Sequence, residues 1–303
     1  RLDGVELADC TYGLVAHGVV DGPVGSASIY APKVAGAKIT SVAHTALTLK
    51  IVLSQKGSMG LHMDAVGASE PGGWSVGVDI TGPSRHNGRP IFLNNCVGGS
   101  LNADVRVSRA QPVTVSGCTS LDIAALRSDT SPALLADGAD GIRVRNVYSQ
   151  DRVVLKNCPA GVVVDGGEVE GLTVTMEDPP APYSQVLIKR LHALGTSSGD
   201  TADVASGIYI GREAGVRLSA LDLVIEDCKV GPCRRVRQDL TAPVAEVEVG
   251  RSAGIRVQTG GTSTRVQMLG CTILGDNVNN EIGALLGATD DLGPGVMAGQ
   301  LSA

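Results

Sequence analysis

The chain has 303 residues, of which 43% are hydrophobic and only 2% aromatic, with a single Trp and a single Phe. Its formal net charge of −6 opposes binding to a phosphate backbone, so we expect no nucleic-acid partner. No apolar run approaches the roughly 18 residues that a membrane-spanning helix requires, so we expect no membrane span. The abundance of small and β-branched side chains, together with 40 glycines, favours an all-β fold with many tight corners.

Short β-type segments separated by polar loops are predicted along the first half of the chain. In chain order, strands are expected at 4–8, 13–20, 38–42, 47–53, 91–93, 105–107, 113–115 and 121–126. Polar loops that contain Gly and Pro are expected at 66–75 and 81–90. Residues 127–140 form a longer excursion, in which 132–136 is expected to make one helical turn.

The segment 141–176 repeats a glycine followed by an apolar-rich β pattern, beginning at Gly141, Gly161 and Gly171. The first two of these glycines are separated by about 20 residues, the length of one turn of a coiled ribbon. The same pattern begins elsewhere at Gly4, Gly60, Gly77, Gly207, Gly215 and Gly254. Self-similarity at such a period is typical of a solenoid, in which each repeat forms one turn and pairs with the next.

A second marker is a cysteine preceded by Asp, Asn or Gly. It occurs at Cys10, Cys96, Cys118, Cys158, Cys228 and Cys271. The gaps of 86, 22, 40, 70 and 43 residues correspond to about four, one, two, three and two turns of about 22 residues. We interpret these cysteines as reduced, small and buried side chains that stack in phase.

These periodicities predict an all-β chain that forms a single parallel β-helix over residues 1–275, with roughly 20–23 residues per turn. A β-sandwich or an irregular all-β domain is the alternative. Residues 276–303 lack the period and are predicted to be an irregular C-terminal tail or docking arm.

Three acidic residues, Asp203, Glu226 and Glu248, are the candidate catalytic residues. Each follows the previous one by roughly 22–23 residues, so turns of that length would stack the three carboxylates in layers about 4.8 Å apart. Carboxylates separated by about 5 to 9 Å are what glycoside hydrolysis uses. The alternation around Glu248 also fits any strand with one solvent-exposed face, and we prefer that interpretation. The sequence lacks phosphate-binding and zinc-ligand motifs, so no cofactor and no metal site are predicted.

The spaced Gly-[Val/Ile]-x-[Val/Ile] segments and the Asn/Asp/Gly-Cys turns resemble the right-handed parallel β-helix superfamily. That superfamily includes pectate lyases, polygalacturonases, alginate epimerases and the trimeric spikes and fibres of bacteriophages. The resemblance covers roughly residues 4–275 and implies a right-handed solenoid. The chain departs from the enzymes: their Gly-His-Gly stretch is absent, since His17-Gly18 follows Ala16, and paired aspartates occur only at Asp290-Asp291. One Trp and five Tyr also provide few aromatic faces for a sugar.

The resemblance therefore implies a structural role as the first hypothesis. The expected protein is a phage-like virion component, namely a spike, fibre or capsid-decoration subunit that assembles in the host cytoplasm. We expect it to form a homotrimer and to contact other virion or surface proteins. The second hypothesis is a polysaccharide-degrading enzyme, a glycoside hydrolase or lyase, with a glycan as its partner. The third is a bacterial surface adhesin, which would be extracellular.

Overall fold

The computed structural model describes residues 1–54, 57–68, 73–83, 86–107, 110–176, 185–195, 206–212, 221–231, 253–258, 264–274 and 282–287. Every regular element in this part of the chain is a β-strand, and neighbouring strands pair in parallel. The fold is therefore a parallel β-solenoid, which confirms the predicted fold class. The chain divides into two compact units, residues 1–163 and 164–303.

Within the described residues of the unit 1–163, two sheets alternate along the chain, and each contains seven strands. The strands of the first sheet are β1 (Leu2–Ala8), β3 (Asp21–Tyr30), β5 (His44–Val52), β7 (Trp74–Thr81), β9 (Val97–Arg106), β11 (Thr119–Ser128) and β13 (Ile142–Tyr148). The strands of the second sheet are β2 (Tyr12–His17), β4 (Ala35–Thr40), β6 (Met59–Asp64), β8 (Ile91–Asn94), β10 (Val113–Ser116), β12 (Leu134–Asp137) and β14 (Val153–Lys156). Each turn therefore contributes one strand to each sheet.

The unit 164–303 repeats the same parallel arrangement. One ladder contains β15 (Val162–Val169), which begins two residues before the boundary, then β17 (Val186–Ala193), β19 (Leu221–Glu226) and β22 (Thr264–Leu269), with the short strands β20 (Lys229–Val230) and β23 (Thr272–Ile273) beside it. The other ladder contains β16 (Leu172–Met176), β18 (Ser206–Arg212), β21 (Ala253–Gln258) and β24 (Ile282–Gly287). The strand β24 lies beyond residue 275. The tail stays a prediction for 276–281 and 288–303, which lie outside the described residues.

Inward side chains stack in columns of similar residues, because in-register parallel pairing repeats each position one turn later. In the first sheet Ile29, Ile51 and Ile80 are successive partners, and all three are fully buried. In the second sheet Met63 and Leu93 are partners and are equally buried. Aliphatic side chains of moderate size thus fill the interior, and their removal from water stabilises the stack.

Turn length varies more than the sequence pattern predicts. The turn from Val24 to its partner Ala46 has the predicted length, but the turn from Leu61 to its partner Ile91 is longer. In the unit 164–303, the turn from Leu172 of β16 to its partner on β18 is longer still. The register of the ladder is kept across these longer turns.

The corner that follows each strand of the second sheet explains the cysteine marker. The residue at this corner has a left-handed backbone, for example Asn95 (φ 50°), Gly117 (φ 57°) and Asn157 (φ 51°). Its amide donates to the next turn, as from Asn95 to the Ser116 carbonyl at 2.9 Å. Asn and Gly adopt this conformation at the lowest cost. The residue that follows is buried at the corners after β4 to β14, and Cys96, Cys118 and Cys158 are three of these buried side chains.

The predicted single column of six cysteines is correct only in part. Cys96 and Cys118 occupy successive turns, since the Cys96 amide donates to Cys118 Sγ at 3.4 Å. Cys10 is only half-buried and lies at a different corner, after β1. In the unit 164–303, Cys228 and Cys271 lie in adjacent turns, because the Thr272 amide donates to the Cys228 carbonyl at 2.8 Å. The gap between these two cysteines is therefore one long turn rather than two.

The helical turn predicted at 132–136 is wrong, because Leu134–Asp137 is the strand β12. Leu134 and Ala136 pair with Val113 and Val115 of β10 and are completely buried. Alternating burial requires an extended backbone, so packing into the ladder overrides the local preference for a turn.

Candidate functional site

An open groove lies on the outer face of the first sheet in the unit 1–163. Its volume is about 370 Å³. Its polar lining consists of Ser26, Ser28, Thr48, Lys50, Asp79, Asn102 and Asp104. These residues occupy outward positions of β3, β5, β7 and β9, where side chains alternate with the buried core residues.

The groove exists because one position in a column of outward residues is a glycine and has no side chain. Ser26, Thr48, Gly77 and Asn102 are successive register partners. A Cβ built on Gly77 would have only Leu47 O and Thr48 Oγ1 within 4 Å, at 3.8 and 3.9 Å. Gly77 therefore leaves an unfilled gap between Thr48 and Asn102, and hydroxyl and amide groups border it.

The neighbouring outward column carries the charges. Lys50, Asp79 and Asp104 are successive partners in β5, β7 and β9. Arg106 Nη2 donates to both carboxylate oxygens of Asp79 at 2.9 Å. Arg106 Nε lies 3.4 Å from Asp104 Oδ1, which is an ion-pair distance outside hydrogen-bond geometry. The hydrogen bond to Asp79 raises the pKa of Arg106, so the guanidinium is permanently charged and bridges the two turns.

Ties of this kind recur along the solenoid. Among the residues that the structure describes, a basic side chain of one turn contacts a carboxylate of the adjacent turn in five places. The pairs are Arg106–Asp79, Arg145–Asp122, Arg190–Asp165, Lys189–Glu226 and His192–Glu168. Two of the arginine pairs share one geometry: Arg106 and Arg145 lie two residues beyond the ladder partners of Asp79 and Asp122. Diagonal pairing of this type holds long side chains across neighbouring strands.

The predicted catalytic residues are only partly within the described residues. Glu226 lies on β19, and its carboxylate is 2.7 Å from Lys189 Nζ. The ladder places Lys189 on one side of Glu226 and Leu269 on the other. Asp203 and Glu248 lie outside the described residues, so a catalytic role for the three stays a prediction.

The sequence pattern did not identify Asp79 and Asp104. They are ladder partners, but more residues separate them than the spacing used to predict the acidic column. A search for carboxylates at that spacing therefore misses this pair. Their placement on outward positions of two strong strands was the available signal, since Trp74–Thr81 alternates buried and outward residues throughout.

The groove suits a ligand that is rich in hydroxyl groups. Its serine, threonine and asparagine side chains donate and accept hydrogen bonds, its carboxylates accept, and Lys50 donates. Its lining contains no aromatic residue. Both oxygens of Asp79 are already occupied by Arg106, so this carboxylate acts as a fixed acceptor rather than a mobile acid.

Within the described ranges, no three His, Cys, Asp or Glu side chains are grouped so that they could hold one metal ion. No helix among those residues is long and apolar enough to cross a membrane. Compared with models of known protein families, with curated proteins and with solved structures, the chain matches none.

Proposed function

We propose that the chain is a structural β-solenoid subunit of a virion, of the spike, fibre or capsid-decoration type, and that it forms a homotrimer. The observation that carries this proposal is the use of charged side chains as ties between turns. Arg106, Arg145 and Arg190 each bind a carboxylate of a neighbouring turn. Such side chains contribute rigidity to a shaft, whereas a hydrolase needs carboxylates that exchange protons with a substrate.

An exposed apolar cluster on the first turns supports self-assembly. Six large apolar side chains with high exposure lie close together in the sequence at the start of the chain. They are Tyr12, Val15, Val19, Val20, Val24 and Val34. Exposed apolar surface favours association with another chain.

Light scattering at micromolar concentration tests the assembly. We expect a particle with three times the mass of one chain, and a monomer would contradict the proposal. Replacing Val15 and Val20, which are 57% and 66% exposed, with Lys should shift the particle toward the monomer. The matched control is Tyr148→Lys, because Tyr148 is 54% exposed but lies on β13, several turns away.

A second candidate, a polysaccharide-degrading enzyme, is favoured by the groove around Gly77. Its two carboxylates belong to adjacent turns, and its lining includes serine, threonine, asparagine and lysine side chains. The test is the release of reducing ends or unsaturated products from a panel of polysaccharides. Activity that is lost in Asp79→Asn and Asp104→Asn but kept in Asp122→Asn would establish this candidate. Asp122 is a suitable control because it forms the same type of arginine pair outside the groove. Absence of cleavage across the panel would exclude it.

A further inference from the structure

A second polar surface lies on the outer face of the second sheet, away from the groove. Lys38, His62, Phe92 and Thr114 are successive outward partners on β4, β6, β8 and β10. Arg89, just before β8, places its guanidinium carbon 4.8 Å from the centre of the Phe92 ring. We name Lys38, His62, Arg89 and Phe92 the basic ring patch.

The basic ring patch is held in place by contacts on both sides. The rings of His62 and Phe92 have their centres 5.3 Å apart and are inclined by 43°. Arg89 Nε donates to Gln111 Oε1 at 2.9 Å, and this bond fixes the guanidinium beside the ring. A guanidinium has five N–H donors, so the contact with Gln111 uses only one of them. The patch therefore presents a positioned donor group next to two flat rings.

Its charge is opposite to that of the whole chain. Lys38 and Arg89 are the fixed cations, on a protein whose formal net charge is −6. The nearest carboxylate column contains Asp64, whose Oδ1 accepts a hydrogen bond from Asn94 at 2.8 Å. A local excess of positive charge on an acidic protein is a feature of anion recognition.

His62 supplies a neutral ring to the patch. Burial, followed by the charge of Lys38, lowers the pKa of His62, so the ring is neutral near pH 7. Its Nδ1 is shielded from solvent, so a ligand on this surface meets the ring of the half-buried His62 as a flat face and not as a hydrogen-bond partner at Nδ1.

The adjacent outward column distinguishes between anionic ligands. Thr40, Asp64, Asn94 and Ser116 are successive partners beside the patch. Hydroxyl, amide and carboxylate groups in a row suit the hydroxyl groups of a sugar, whereas an acidic peptide offers mainly carboxylates and amides. Sugar C–H groups can also pack against the rings of His62 and Phe92.

We propose that the basic ring patch binds a carboxylate-bearing saccharide. The carboxylate would lie between Lys38 and Arg89, with the sugar body over His62 and Phe92 and its hydroxyl groups toward Thr40 and Asn94. Binding here does not depend on the structural role proposed above and uses none of the residues of the groove.

The experiment is calorimetric titration of the full chain with oligogalacturonate and with an α2,8-linked sialic acid oligomer, beside a neutral galactose oligomer of equal length. We expect at least one acidic oligomer to bind, with affinity that falls as salt rises, and the neutral one to bind at least tenfold more weakly. Equal binding of acidic and neutral oligomers, or binding of neither acidic one, would overturn the proposal. Equal binding of a glutamate oligomer would also overturn it, because the patch would then recognise charge without the sugar.

Variants locate the site. Arg89→Gln should weaken acidic binding at least tenfold, and because Arg89 is an exposed loop residue, this variant should fold normally. Phe92→Leu should weaken it similarly while keeping an apolar residue on β8, and its melting temperature shows whether folding is intact. Lys156→Gln, on the same sheet but far along the ladder, and Asp79→Asn, in the groove, are the controls and should bind normally. Unchanged affinity in Arg89→Gln and Phe92→Leu would place any binding elsewhere and overturn the proposal.

Discussion

The indole of Trp74 lies directly against Gly99, its ladder partner in the next turn. Trp74 is 3% exposed, and its Nε1 donates to the Val97 carbonyl at 3.2 Å. A Cβ on Gly99 would overlap three atoms of the indole ring. The only Trp of the chain can therefore enter the stack because the next turn has no side chain at this position.

We predict that Gly99→Ala destabilises the protein by about 1–3 kcal/mol, because the ring must move out of its buried position. Urea unfolding followed by Trp fluorescence measures the change. Gly77→Ala is the matched control, since a Cβ there meets only ordinary contacts at 3.8 and 3.9 Å. That variant should be neutral or more stable by up to about 1 kcal/mol, because it restricts the unfolded chain. Equal effects of the two substitutions would contradict the packing described here.

The corner residue Ala65 gives a second prediction. Ala65 has φ 52°, and its amide donates to the Asn94 carbonyl at 2.9 Å. Holding a residue with a Cβ in the left-handed conformation costs about 1–2 kcal/mol. Replacing alanine with glycine costs about 0.4–1 kcal/mol, because the unfolded chain gains conformational freedom. The first effect is larger, so Ala65→Gly should raise the free energy of unfolding by about 0.5–1 kcal/mol.

Chemical denaturation compares Ala65→Gly with Ala46→Gly, an exposed position in the middle of β5. The second variant should lose about 0.5–1 kcal/mol, as glycine does within a strand. If both substitutions destabilise to the same extent, the corner carries no strain and the prediction fails.

The architecture could be predicted from the sequence because it depends on local signals. Asn95-Cys96 and Asn157-Cys158 mark corners where a left-handed residue precedes a buried one, and such corners need particular residue types wherever they occur. The strand alternation around Leu47 and Leu49 is an equally local signal. These features repeat with each turn, so their recurrence indicates a solenoid.

Side-chain neighbours could not be predicted in the same way, because they depend on turn length. Asp79 stacks on Asp104 across one turn, and Lys189 stacks on Glu226 across a turn that is much longer. A loop of any length can leave the solenoid between two strands without changing the register. The number of residues between ladder partners in one pair of turns therefore does not predict the number in the next pair. The acidic column expected through Glu226 assumed that this number is constant.

The buried thiol of Cys158 gives a prediction in alkali. Burial raises the pKa of Cys158 to about 12 from its ordinary value of 9.0. The unfolded chain then loses this proton at a lower pH than the folded chain. The stabilisation is complete below pH 9 and is lost as the pH rises toward 12, by about 1.4 kcal/mol per pH unit.

Unfolding curves recorded between pH 8 and pH 10.5 measure this loss. Cys158→Ala should be less stable than the wild type at pH 8, through lost packing, and should show a shallower decline above pH 9. Cys10→Ala is the control, because Cys10 is only half-buried, and it should follow the wild-type decline. Parallel curves for the wild type and Cys158→Ala would show that this thiol does not control alkaline stability.

The buried imidazole of His86 gives the corresponding prediction in acid. His86 is completely buried, and its Nδ1 accepts a hydrogen bond from the Gly88 amide at 3.1 Å. Burial lowers the pKa of His86 below its ordinary value of 6.5, so the unfolded chain takes up a proton before the folded chain does. The free energy of unfolding should therefore fall as the pH drops below 6.5, by up to about 1.4 kcal/mol per pH unit.

Burial also lowers the pKa of His62, so the contribution of His86 must be measured as a difference from the wild type. The melting temperature of His86→Gln should depend less on pH between 6.5 and 4.5 than that of the wild type, because Gln cannot take up the proton. The control is His17→Gln at an exposed position of β2, which should leave the wild-type slope unchanged. If the curves for His86→Gln and the wild type run parallel over this interval, the loop around His86 tolerates a charged ring and the prediction is wrong. The complete burial of His86 and its bond to Gly88 argue against that outcome.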